Sequence, residues 1–162
     1  MQTRLSFLPW LWLGAALLFT VVVAPAAFAV LPSRALAGLL VGRVLPVLFW
    51  SGAAVGALLT VRSAGWRRWA AVVLLLSSLG AQVGVAPRVH RLRAALGPDI
   101  EAVAPTDERR VTFGRLHAVS VALLGVGMLG AAALAFATLV AAGLSGTPGR
   151  PGVPQQHDSG RR

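Results

Sequence analysis

Two polar side chains, His117 and Ser120, stand where an otherwise apolar stretch begins. Three residues apart, they share one face if the segment is helical. An imidazole can ligate a metal, move a proton or donate a hydrogen bond, and a hydroxyl can donate or accept. Both precede a run from Val121 to Gly143 that is long enough to cross a bilayer. A polar group at such a boundary is costly and calls for a partner or a role. Three more side chains share this character: Arg43 and Gln82 within apolar runs, and His90 just after one.

The chemistry these residues could perform is limited. Haem or copper held by histidine needs at least two imidazoles. His90 and His117 are one candidate pair, since His157 lies in a polar tail. No carboxylate lies within an apolar run, which argues against a proton-coupled carrier of the Asp/Glu type. The absence of cysteine excludes thiol catalysis, thiolate metal sites and disulfides. There is no Gly-rich phosphate loop and no HExxH element. The sequence therefore points away from an enzyme. It points to a site that binds, with no cofactor required.

The elements that must position these groups are membrane spans. The 162 residues are 56% hydrophobic and only 12% charged, against roughly a quarter charged in a soluble domain. Mean hydropathy is +0.74. Four apolar runs predict spans over about 5–30, 35–61, 69–87 and 113–143, each near the ~20 residues that cross a bilayer. Residues 1–145 thus form one four-span domain. The Gly-, Pro-, Gln- and Arg-rich residues 146–162 read as a disordered tail.

Trp10 and Trp12 near the start of span one fit an interfacial belt. Ala27-Phe28-Ala29 resembles a signal-peptidase site, but the apolar part before it exceeds the usual ~7–15 residues, so the span is expected to be retained. Pro25 should bend its last turns. In span two, Arg43 is expected at the membrane edge with Pro46 just beyond. Gly38/Gly42, Gly52/Gly56 and Gly80/Gly84 are GxxxG pairs, which permit close helix approach. Span three should end at Pro87, leaving Val89 to Leu96 as a basic amphipathic surface helix. Thr106-Asp107 could cap the lead-in to span four.

All fifteen basic residues are arginine, for a net charge of +10. They fall beside the apolar runs, so anionic lipid headgroups account for them and nucleic acid does not. Seven would lie on the side of the termini and eight on the other, which leaves orientation undecided.

Four antiparallel spans place the end of the first, the start of the second, the end of the third and the start of the fourth at one face. Pro25, Phe28, Arg43, Pro46, Gln82, Pro87, His90, His117 and Ser120 all fall there. This predicts a shared polar pocket built from Arg43, Gln82, His117 and Ser120, opposite the termini. Each residue also has a plainer explanation. Arg43 could snorkel to headgroups, Ser120 could bond its own helix, and Gln82 or His117 could make one interhelical bond.

Pro25-Ala26-Ala27-Phe28, Ala37-Gly38 before Gly42-Arg43 and Pro46, Pro87 before Val89 and Leu92-Arg93, and Phe113-Gly114-Arg115-Leu116-His117-Ala118-Val119-Ser120 occur in that order. Over about Leu5 to Gly143 the chain resembles the transmembrane protein 205-like family, a bacterial four-span membrane domain of unknown function. The resemblance implies that Pro25, Phe28, Gly38, Arg43, His117 and Ser120 occupy motif positions, without assigning them roles. It also implies a link to four-span domains associated with copper handling.

The expectation is an all-α, up-down-up-down four-helix transmembrane bundle, multi-pass in a bacterial inner membrane. Its pocket would take a small solute, a lipid headgroup or a partner helix. The alternatives are haem or copper on His90 and His117, or a channel or carrier subunit that needs oligomerisation to form a pore.

Overall fold

The computed structural model describes residues 5–97 and 103–145. It is built of four long helices, with no strand among the described residues: α1 (Leu8–Val30), α2 (Arg34–Arg62), α3 (Trp66–Leu96) and α4 (Glu108–Ser145). Each is long and apolar enough to cross a membrane. In hydrocarbon a helix satisfies all its backbone polar groups internally, which is why apolar runs of this length fold this way. Each helix packs on its neighbours in the chain, and α1 closes the ring against α4. The Trp10 indole donates to the Thr138 hydroxyl at 3.0 Å, joining the start of α1 to the far part of α4. Both ends of the domain therefore lie at one face. The tail after residue 145, Asp99 and Glu101 lie outside the described residues.

Short turns join the first three helices. Ser33 caps α2 by accepting from the Leu36 N–H at 3.2 Å. Gly65 turns the chain into α3 at φ +59°, and Gly97 ends α3 at φ +81°, both in the region that favours glycine. Asp107 caps α4. It accepts from the Arg109 N–H at 2.8 Å and pairs with the Arg109 guanidinium at 2.9 Å.

Those bonds to Arg109 lower the Asp107 carboxyl from 3.8 to about 2. A lowered folded-state pKa stabilises the fold above the unfolded pKa and ceases to as pH falls through the folded one. The stability difference between wild type and Asp107→Ala, followed as the melting temperature in detergent, should therefore narrow between about pH 5 and about pH 2. Asp107 is partly exposed and its partner Arg109 is exposed, so the narrowing should be modest and smaller still in high salt.

The course of α3 corrects the sequence expectation. The helix does not stop at Pro87 but continues to Leu96, so Val89 to Leu96 is the end of one continuous helix and not a separate one. A proline inside a helix lacks a donor, and its ring collides with the carbonyl four residues back. Here the chain widens into π turns just before the ring. The Ala86 N–H reaches back five residues to Ala81, and the Ala24 N–H likewise to Phe19. Both sites read Val-Ala-Pro, Val23-Ala24-Pro25 and Val85-Ala86-Pro87. The wider turn accommodates the ring, so α1 and α3 pass their prolines without breaking. The extra residue also turns everything after it by about 100°.

The core is built around one large side chain. Trp12 is 4% exposed and packs with Ala16, Phe19, Leu48, Phe49, Leu74 and Leu124. Its indole N–H donates to the Leu48 carbonyl at 3.0 Å. Only Trp10, 44% exposed, has the interfacial character expected of both tryptophans. Two residues apart on a helix, they cannot share a face.

Small residues set the helix separation. A Cβ on Gly56 would sit 2.7 Å from the Leu75 nitrogen, and one on Gly130 would sit 2.9 Å from the Ala70 carbonyl oxygen. Gly52 and Gly127 face the hydroxyls of the buried Ser78 and Ser77. Of the three GxxxG pairs, only Gly52/Gly56 brings two backbones together.

Candidate functional site

The helices pack tightly toward the face of the termini. Toward the other face α2 and α3 part. Between them opens a cavity of about 380 Å³ lined from all four helices. It lies at the face where the sequence placed its polar residues. On α2 the lining runs through Arg34, Gly38, Val41, Gly42, Leu45, Pro46 and Phe49, the stripe that helical periodicity gives. On α3 it comprises Gln82, Ala86, Val89, His90 and Arg93. On α4 it comprises Arg110, Phe113, Gly114, His117 and Ser120. From α1 it takes Phe28.

Of the four residues proposed to form a pocket, the fold brings three together: Gln82, His117 and Ser120. Arg43 departs from the expectation. It is exposed and does not line the cavity, because Gly42 and Pro46 take the inward face of α2. The guanidiniums that line it belong to Arg34, Arg93 and Arg110. Of the motif residues, Phe28, Gly38 and Pro46 line the cavity, whereas Pro25 and Pro87 are exposed and act through the π turns. His90 stands on the helix, at the cavity, and not in a loop.

Arg93 is held by three contacts that the sequence reading missed. Its guanidinium lies over the Phe113 ring, 5.7 Å from the centroid, within range of a cation–π interaction. On the other side it lies against Gly38 and Gly42. A Cβ on Gly38 would fall 2.5 Å from Nη2, and one on Gly42 would fall 3.7 Å from Nη1. This glycine pair therefore seats a guanidinium and not a helix. The spacing 86, 89, 90 and 93, in phase on a helix, was the available signal, but it reads as one face only if α3 runs on past Pro87.

The charge of the cavity has one sign. Arg34, Arg93 and Arg110 line it with His90 and His117, and no carboxylate is among its described lining residues. Arg110 also donates to the Val103 carbonyl. The Gln82 Oε1 is buried and accepts no hydrogen bond. A buried acceptor without a donor costs about 1–3 kcal/mol, so an occupant that donates would relieve that cost. Among the described residues there is no group of three or more metal-ligating side chains.

These observations define a four-span helical integral membrane protein with a basic, partly apolar cavity at one face. Residues 7–97 of the 162 match a family described as a domain of unknown function (DUF4149), and the chain belongs to that family. The match covers α1 to α3 and includes Phe28, Gly38, Gln82, His90 and Arg93. No curated protein and no solved structure matches the chain.

Proposed function

We propose that this membrane protein is a non-enzymatic binder, whose cavity opposite the termini takes a small solute or lipid headgroup. The observation that carries this reading is the orphaned Gln82 oxygen in a cavity of about 380 Å³. That volume falls within the ~300–1,000 Å³ of small-molecule sites. A bacterial inner membrane is the proposed location, since four helical spans suit it. Kinship with transmembrane protein 205-like proteins is part of the proposal; it rests on the order of Pro25 to Phe28, Gly38 to Pro46, Pro87 to Arg93 and Phe113 to Ser120, the last of which lies outside the matched stretch. A partner helix at the same cavity, or a second copy of the chain, remains part of this proposal.

The test is to fill the cavity. A Cβ on Gly42 meets only the Arg93 guanidinium, so Gly42→Phe should enter the cavity without forcing helices apart. In mild detergent, wild type should gain thermal stability saturably with added bilayer lipid extract, as binding to the folded state requires. Gly42→Phe should fold but lose that gain. Equal gains in both proteins would sink the reading.

A second reading has one observation in its favour: His90 and His117 line the same cavity. They could hold copper or haem iron. Against it, three guanidiniums and, among the described residues, no carboxylate line the cavity with them, an environment that repels a metal cation. Copper by elemental analysis, or a Soret band, at one per chain and lost in the double variant His90→Ala/His117→Ala would establish it.

A further inference from the structure

We propose that the cavity binds an anionic amphiphile, its phosphate or carboxylate head on Arg93 and its hydrocarbon against Val41, Leu45 and Phe49. This rests on the cavity being a binding site and names what it binds.

The argument begins with the cost of placing Arg93 where it is. Its guanidinium is half-buried, drawn in by two glycines and roofed by an aromatic ring. Neither described carboxylate pairs with it: Asp107 is engaged by Arg109, and Glu108 makes no ion pair with Arg93. Withdrawing a cation from water without a counter-charge is unfavourable. A guanidinium is also the side chain best matched to a planar or tetrahedral oxyanion, since two N–H groups can bind two oxygens at once. Arg34 and Arg110, which have contacts of their own, add positive charge along the same lining. A purely cationic head would meet repulsion from these guanidiniums.

The rest of the lining selects for hydrocarbon. Val41, Leu45, Pro46 and Phe49 are apolar and continue from the Gly38/Gly42 slot along α2. A bare inorganic anion would leave that wall uncovered. An amphiphile covers it while its head meets the guanidinium. The cavity has room for a head and the first part of a chain. Its boundary toward α1 is the half-exposed side chain of Phe28, past which the remaining chain can extend into the bilayer.

The experiment uses the full chain in dodecyl maltoside, with binding followed by thermal stability and by native mass spectrometry. The probes are dodecyl phosphate, 1-dodecanol, inorganic phosphate and dioctanoyl phosphatidic acid. Dodecyl phosphate should bind saturably, and dodecanol and inorganic phosphate should each bind at least about tenfold more weakly, the loss of one charge-assisted bond or of the apolar contact. Arg93→Gln should weaken dodecyl phosphate at least about tenfold and leave dodecanol unaffected, while Arg43→Gln changes neither. Gly38→Ala should do the same as Arg93→Gln by expelling the guanidinium from its slot. It touches only a flexible side chain, so it decides the matter if Arg93→Gln fails to fold. Phosphatidic acid binding more tightly than dodecyl phosphate would identify a bilayer lipid as the source, and weaker binding a free single-chain amphiphile. Either ranking supports the proposal. Dodecanol binding as well as dodecyl phosphate, or indifference to both Arg93→Gln and Gly38→Ala, would overturn it while leaving the cavity a binding site. Inorganic phosphate binding as well as dodecyl phosphate would overturn the apolar half. No saturable binding of any probe would overturn both this inference and the function it rests on.

Discussion

Trp12→Ala is expected to destabilise the bundle by about 3 kcal/mol, the low end of the ~3–5 kcal/mol that large aromatic truncations cost in aqueous cores. The reduction has a physical cause. Lipid tails are as apolar as the core, so burial from lipid contributes little, and the loss comes from the void and the contacts left unmade. Trp12 is almost wholly buried, belongs to a core cluster with residues of all three other helices, and fills the space left by Gly52 and Gly127. No neighbour can collapse into that space without moving a helix. Trp12→Phe keeps much of the packing but loses the bond to the Leu48 carbonyl, so it should cost far less. Trp10→Ala removes one exposed bond to Thr138 and should cost about 1 kcal/mol or less. Reversible unfolding in mixed detergent micelles measures all three. A Trp12→Ala loss no larger than that of Trp10→Ala would contradict the packing described here.

Gly56→Ala should be the next most damaging change, at about 1–3 kcal/mol for a single added methyl. The added carbon would sit 2.7 Å from the Leu75 nitrogen and 2.9 Å from its Cα. Backbone cannot rotate aside, so α2 and α3 must separate. Gly130→Ala meets the Ala70 carbonyl oxygen at 2.9 Å and should act similarly between α3 and α4. Gly125→Ala is the control: nothing lies within 4 Å of the added carbon, and alanine is the better helix former. It should be neutral or slightly stabilising. Because Gly56 and Gly130 lie in the half of the bundle nearer the termini, their variants should lose stability without changing what the cavity selects. Gly38→Ala should do the reverse.

The contrast between Gly38 and Gly56 shows how far the residues could be read. Both belong to GxxxG pairs in the same helix, and as sequence they are equivalent. One admits a guanidinium and the other a backbone, because different neighbours face them. Likewise the sequence pointed to Arg43 as the arginine of the pocket and not to Arg93. Pro46 and Gly42 turn Arg43 outward, whereas the π turn before Pro87 carries Arg93 inward. The gathering of Gln82, His117 and Ser120 was legible, since antiparallel order alone brings those helix ends to one face. The burial of Ser77 and Ser78 was not, as nothing local distinguishes them from polar residues on an outer surface.

By itself the sequence determined that this chain forms four membrane-crossing helices, and that their polar residues gather at the face away from the termini. Hydrocarbon admits only helices here, and their number and order follow from the lengths of the apolar runs. The tertiary structure alone decided which side of each helix turns inward, and with it which arginine, which tryptophan and which glycines make the core and the cavity. Rotation about a helix axis is set by contacts between distant segments and by π turns beside prolines, and no single stretch of residues encodes it.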